Sequence, residues 1–571
     1  MKITFKLMIV VLLTLFCGVQ LTGQNQYSDY KTLSQKASRL ATDYKSLCSV
    51  NSIAKTAGGK EIWTLSIGSG DRDSKPAIAI VGGVDGSYIF GRELALGFAE
   101  TLLKQSSNPE VKELLSKITF YVFPDVNPDA SEQCFAPLKY ERSVNARSTD
   151  DDRDFVNDED PYEDLNKDGL ITSIRITDPA GTLIESDDDK RVLVPADLSK
   201  GQKGAYILLT EGIDNDKDGE FNEDGAGGVN FNKNFTYNYE EFGTNAGLHA
   251  VSEPESKAVA DFLYDHYNIY AVFTFGPQDN LGQPPRSSER GSSQAPAAPA
   301  QGQGQGFQMG GGRGSGAPTG GFTRTGDRRI TSVMRTDEII DRLVSDKFHE
   351  ITGLRGAPSP VSTRGNFMEW AYYHYGRYSF GTPGWWIPPD KARSGEAAFL
   401  KYAEENKLGD VFVDWTEINH PDFPGKKVEV GGMKPFLMMN PPADKLGELI
   451  DNNSKFIIAV AGMHPELELL DLKTENLGDN VFRVSVKVHN KGIFATCAEV
   501  GDINQWTRIM RISLEPAGNQ TLLSGDKVQR IRRLEGDKSN EYSWLVSGRG
   551  TLKISAGALN TGTVTTSIDL K

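Results

Sequence analysis

The apolar run from Lys75 to Val84 (KPAIAIVGGV), a helical pattern after it and a second run from Ile118 to Phe123 (ITFYVF) constrain this chain more than any other feature. Short continuous apolar runs bounded by turn residues read as strands buried on both faces. Between them Leu94, Leu96, Phe98, Leu102 and Leu103 recur at helical spacing. Strand, helix and strand at this distance imply a βαβ unit, hence an α/β fold with a mostly parallel sheet and helices on both faces. The site of such a sheet lies beyond the carboxyl ends of its strands. Here those ends are the segments after Val84, Phe123 and Phe275.

The rest of the 571 residues divides by texture. Lys2 and Lys6 precede an apolar run from Leu7 to Cys17, followed by small and polar residues, so residues 1–23 read as a cleaved signal peptide. Phe16 occupies the place where a lipoprotein signal wants a small residue before Cys17, which favours plain export, to periplasm, cell surface or medium. The α/β domain is expected over 27–418. It carries an acidic insertion at about 148–226 and a Ser, Gln, Ala, Pro and Gly stretch at 287–328 whose composition cannot bury a core. From His420 onward, short alternating strands such as FRVSVKV (Phe482 to Val488) predict a C-terminal β-sandwich over 420–571. No later run is long enough to span a bilayer.

Lys and Arg total 62 against 77 Asp and Glu, a net charge of -15, which argues against nucleic-acid binding. Outside the leader, Cys48, Cys134 and Cys497 form no Cys-x-x-Cys pair, so free thiols, or at most one bridge, are expected. All seven histidines fall at or after His249, and no His-Glu-x-x-His is present. Serine-hydrolase and nucleotide-binding motifs are missing too.

The acidic residues are ordered. Ten of the nineteen residues from Asp150 to Asp168 are acidic. Asp150, Asp152, Asp154, Asp158, Glu159 and Asp160 recur 64 residues later as Asp214, Asp216, Asp218, Asn222, Glu223 and Asp224. Asp164, Asn166 and Asp168 before Gly169 open like an EF-hand loop. The twelfth positions are Arg175 and Gly225, so neither loop is a standard EF-hand. Alternate oxygen ligands on tight turns predict structural calcium at Asp150, Asp152, Asp154, Asp164, Asn166, Asp168, Asp214, Asp216 and Asp218. The competing reading is a solvated acidic loop.

Several segments together resemble the zinc carboxypeptidase family: VGGVDGSYIFGRELAL (Val81 to Leu96), FPDVNPDA (Phe123 to Ala130), GGVNFNKNF (Gly227 to Phe235), SEPES (Ser252 to Ser256) and NFMEWAYYHYGRYSF (Asn366 to Phe380). The resemblance implies a mixed, mostly parallel carboxypeptidase-like sheet. It also implies a site with a His-x-x-Glu pair, a later His and a Glu base around zinc. In this chain Asp85 and Tyr88 stand at the first pair, Phe275 or Gly276 at the later His, and Pro383 or Thr382 at the base. The replacements predict no tight zinc site and no hydrolysis by the family mechanism. By the same resemblance Asn232 and Lys233 match the pair that grips a peptide carboxylate, and Arg142 adjoins the transition-state arginine position. The resulting expectation is an exported, inactive homologue that binds peptides, peptidoglycan stems or a protein partner. The alternative is an active zinc carboxypeptidase with a displaced metal site.

Overall fold

The computed structural model describes residues 26–571 except 150–156, 159, 218, 220, 223–226, 287–329, 391 and 394. The leader and the Gly/Pro/Gln-rich stretch therefore lie outside the described residues. In chain order the first elements are α1 (Tyr30–Asp43), β1 (Cys48–Lys55), β2 (Glu61–Ile67), β3 (Ala77–Val81), α2 (Phe90–Lys104), α3 (Pro109–Lys117) and β4 (Thr119–Phe123). The acidic insertion supplies β5 (Ser173–Thr177), β6 (Leu183–Glu185), β7 (Leu193–Pro195) and β8 (Tyr206–Thr210). Then follow α4 (Pro254–Asp265), β9 (Ile269–Phe275), α5 (Arg335–Thr352), α6 (Phe367–Tyr373), β10 (Tyr378–Thr382), α7 (Gly395–Asn406), β11 (Phe412–Ile418), β12 (Val428–Met433) and α8 (Leu446–Ala461).

The central sheet runs β1-β2-β4-β3-β9-β10. β4, β3, β9 and β10 are mutually parallel, and the β1–β2 hairpin adds an antiparallel edge. This is the expected mixed, mostly parallel sheet. Because successive side chains point to opposite faces, Ile78 and Ile80 enter one core, and Ala77, Ala79 and Val81 the other. Leu94 and Phe98 of α2, Phe348 of α5 and Phe456 of α8 cover the first face. Val259 and Leu263 of α4 and Trp370 of α6 cover the second. Each such fully buried side chain contributes about 1.5–3 kcal/mol of transfer free energy.

A second sheet, β11-β12-β5-β8-β6-β7, joins the acidic insertion to the segment after the core. β12 lies antiparallel to β5, Val430 opposite Ile174. This corrects the boundary at 420: the chain from His420 to α8 packs with the first domain. His420 Nε2 hydrogen-bonds the Gly212 carbonyl oxygen at 2.8 Å, so this histidine belongs with the insertion rather than the sandwich.

The sandwich strands begin later, with β13 (Leu467–Gly478) and β14 (Val481–Asn490), followed by β15 (Met510–Glu515), β16 (Thr521–Ser524), β17 (Val528–Ile531), β18 (Lys538–Ser547), β19 (Gly550–Ala558) and β20 (Gly562–Leu570). They form two four-stranded sheets, β13-β14-β18-β16 and β17-β15-β19-β20. Phe482, Val484, Val486 and Val488 alternate into the core between them. Cys48, Cys134 and Cys497 are all free thiols.

Candidate functional site

Beyond the carboxyl ends of β3, β9 and β10 the chain packs too tightly for side chains at two glycines. A Cβ on Gly276 would lie 2.3 Å from Val84 Cγ2, and one on Gly91 would lie 2.6 Å from the Phe275 carbonyl oxygen. The start of α2 is thereby pressed onto the end of β9. Phe275 pairs with Thr382 across β9 and β10, and the Gly276 N–H donates to the Thr382 carbonyl oxygen at 3.2 Å. On the β3 side, the Tyr88 N–H donates to the Asp85 carbonyl oxygen at 3.2 Å. Tyr88 and Pro383 line one cleft of about 460 Å³ together with Trp385, Trp386, Met438 and Met439. Of the positions singled out in sequence, Tyr88 and Pro383 line this cleft.

The chemistry there is poor in metal ligands. Asp85 is half-buried, and its Oδ1 accepts the Ser87 N–H at 3.0 Å. Burial, aided by the nearby Glu141 carboxylate, pushes its carboxyl up to about 6, against the opposing pull of the Ser87 hydrogen bond and Lys233. Burial likewise pushes the Tyr88 phenol up to about 12. The imidazoles are engaged elsewhere: His349 contacts the Leu354 and Gly282 carbonyl oxygens, His374 the Thr236 hydroxyl, and His464 the Ala461 carbonyl oxygen. Among the described residues no group of three His, Cys, Asp or Glu side chains is arranged to hold a metal. A tetrahedral zinc site needs three nitrogen, sulfur or carboxylate ligands around an open position, and these residues do not fit one.

The substrate-binding candidates are occupied by the protein itself. Asn232 is buried; its Oδ1 accepts the Phe367 N–H at 3.0 Å and its Nδ2 donates to Gln278 Oε1 at 2.5 Å. Lys233 Nζ donates to the Thr244 carbonyl oxygen at 3.1 Å. Arg142 donates through Nε to the Val144 carbonyl oxygen at 3.0 Å and through Nη2 to that of Asn145 at 2.6 Å. These contacts are all made within the protein.

Sequence reasoning missed the segment after β12. Met438 and Met439 reach the cleft, the Phe436 N–H donates to Glu141 Oε1 at 2.9 Å, and Asn440 Nδ2 donates to the Ser87 carbonyl oxygen at 2.8 Å. The segment therefore lies over the loop carrying Asp85 and Tyr88. The Met-Met pair before Asn440 was a visible apolar signal, but nothing local told which surface it would cover. Asp279 was also missed. It lines the cleft, its Oδ1 accepts the Leu281 and Gly282 N–H groups, and its Oδ2 is buried without a donor.

Of the calcium candidates, Asp150, Asp152, Asp154 and Asp218 lie outside the described residues. Asp164, Asn166 and Asp168 form one tight turn: Asp164 accepts the Asp168 and Gly169 N–H groups at 3.1 and 2.7 Å, and Asn166 Nδ2 donates to Asp168 Oδ2 at 3.1 Å. Asp214 Oδ2 accepts the Gly219 N–H at 3.1 Å, while Asp214 Oδ1 and Asn222 Oδ1 are buried without a donor. Asp216 has contacts within the protein. The two loops interlock, with Asp160 accepting the Asn215 N–H at 3.1 Å and Glu211 accepting the Leu165 N–H at 2.9 Å.

Comparison with known proteins gives two family matches. Residues 33–171 match a zinc carboxypeptidase model, and residues 466–569 match a domain of unknown function. Asp85, Tyr88 and Arg142 fall inside the first match; Phe275 and Pro383 fall beyond it. Human carboxypeptidase D is 30% identical over 141 residues, covering 23% of this chain and 10% of that protein. Carboxypeptidase B of Astacus astacus is 30% identical over 109 residues, covering 19% of this chain and 35% of that protein. The matches thus span well under half the length of these relatives. Among solved structures, carboxypeptidase A of Helicoverpa armigera aligns with a TM-score of 0.41 at 12% identity, covering 80% of each chain.

Proposed function

We propose, taking as premise the zinc carboxypeptidase family membership that the family model and the relatives support, that this chain is an exported homologue that has lost hydrolysis and binds an extended peptide-like ligand. The observation that carries this reading is the cleft lined by Tyr88 and Pro383, near which, as elsewhere among the described residues, no group of three metal-ligating side chains is arranged to hold a metal. Without three ligands and a base there is no activated water, so no hydrolytic step is assigned. What the cleft offers instead is the indole walls of Trp385 and Trp386, the Met438 and Met439 side chains, and an orphan acceptor at Asp279. An apolar slot with one buried acceptor suits a peptide segment that brings apolar side chains and an N–H.

The acidic loops are proposed to hold structural calcium. Asp214 Oδ1 and Asn222 Oδ1, two buried oxygens without donors, support a hard cation that takes oxygen ligands. No described helix is long and apolar enough to cross a membrane.

The test pairs two measurements on the full chain. Peptides of varied C-terminal residues are incubated with zinc-supplemented protein, and tryptophan fluorescence follows their binding. The expected result is a saturable fluorescence change with no release of C-terminal amino acids. Chelator-sensitive release would establish the displaced-site carboxypeptidase instead.

A further inference from the structure

The C-terminal region carries a cavity of about 580 Å³, lined by residues between Thr496 and Asn560, that the peptide-binding reading leaves unused. Arg508, Arg530, Arg532 and Arg533 line it against a single carboxylate, Asp502. Arg533 is spent: its Nε donates to the Cys497 carbonyl oxygen at 2.7 Å, and its guanidinium also meets Glu535 and Asp337. The other three have no carboxylate within ion-pair distance among the described residues. Arg508 lies 3.8 Å over the Tyr267 ring, a contact that orients its guanidinium without neutralising it.

The concentration of charge is not what folding would select. Arg530 on the edge strand β17 sits directly opposite Arg511 on β15, and like charges in that arrangement are destabilising. A chain whose net charge is -15 nevertheless places these cations together. A second, independent feature lies in the same wall. Asn560 is 3% exposed, donates through Nδ2 to the Thr496 carbonyl oxygen at 2.7 Å, and leaves its Oδ1 buried without a donor.

We propose that this cavity binds an anionic sugar. Guanidinium forks suit a carboxylate or phosphate. The orphan oxygen of Asn560 wants a hydroxyl donor, which a sugar brings beside its acidic group. A compact ligand is favoured over a long polyanion, because the acidic remainder of the chain repels extended negative charge at low ionic strength.

Titration calorimetry of the full chain with glucuronate, glucose 6-phosphate, inorganic phosphate and neutral glucose tests the assignment. Saturable binding of one or both acidic sugars and none of glucose is expected, and the tighter of the two tells carboxylate from phosphate. Arg508→Ala combined with Arg532→Ala, both at exposed positions, should weaken binding about tenfold or more while leaving the melting curve in place. Arg530→Ala alone should weaken it less. Silence with both acidic sugars overturns the proposal. So does inorganic phosphate binding as tightly as either sugar, or unchanged affinity in the double variant. None of these outcomes depends on peptide binding in the other cleft.

Discussion

Asn440 holds the start of α2: its Oδ1 accepts the Phe90 N–H at 2.9 Å, 350 residues away in sequence. The same side chain donates to the carbonyl oxygens of Ser87 and Phe436, both at 2.8 Å. One amide therefore fixes the covering segment, the loop carrying Asp85 and Tyr88 and an N–H left open at a helix start. Asn440→Ala is expected to destabilise the chain by about 1–2 kcal/mol and to speed proteolysis within residues 434–442. A melting curve and a cleavage pattern both unchanged would show that the segment is held by its apolar contacts instead.

The buried ion pair of Arg92 and Asp125, at 3.2 Å, ties the first turn of α2 to the segment after β4. Arg92 Nη1 also meets Ser131 Oγ at 2.9 Å, and Nη2 meets the Ser28 carbonyl oxygen. Arg92→Met leaves an uncompensated buried carboxylate and should cost about 3–5 kcal/mol. Adding Asp125→Leu to that variant should recover part of the loss. Urea unfolding of the two variants measures both.

Glu255 gives the chain a pH signature. Burial, helped by the Glu253 and Asp129 carboxylates, pushes its carboxyl up to about 7 from an ordinary value of 4.5. A raised carboxyl binds its proton more tightly in the folded state, so its favourable contribution is complete below the unfolded value and is lost as pH rises through about 7. Glu255→Gln should flatten stability between those values and make the variant more stable than wild type at pH 8, by an amount of order 2–3 kcal/mol at most. Denaturation at pH 4.5 and pH 8 would refute this if both proteins changed in parallel.

For the acidic loops, calcium removal is expected to lower the calorimetric midpoint, and restoring calcium to bring it back. Asn222→Ala, which deletes one of the orphaned oxygens, should reduce that calcium-dependent shift. A midpoint insensitive to chelator would leave these loops as solvated acidic surface.

How much could be read from sequence depended on whether the signal was local. β3 and β4 announced themselves because strands buried on both faces are continuous apolar runs, and α2 because its apolar spacing follows one helical face. Asp85 and Tyr88 were singled out by the resemblance to the zinc carboxypeptidase family, at the end of the strand that the apolar run predicts. The second sheet was not legible: β5 and β12 pair across 254 residues, as Arg175 Nε and Glu429 Oε2 do at 2.9 Å. Each strand shows its own pattern, but antiparallel partners carry no mark of one another, and so the sandwich boundary was drawn too early. Asn232 was a candidate site residue through the family resemblance. Its two hydrogen bonds to Phe367 and Gln278 depend on elements far away in the chain.

The most direct test of the central claim is the zinc stoichiometry of the purified full chain after incubation with zinc and removal of the excess. The proposed reading, in which Asp85, Tyr88 and Phe275 hold no zinc, predicts no stoichiometric zinc in the wild-type protein. One tightly held zinc per chain would contradict it and place a working metal centre in this cleft or beside it.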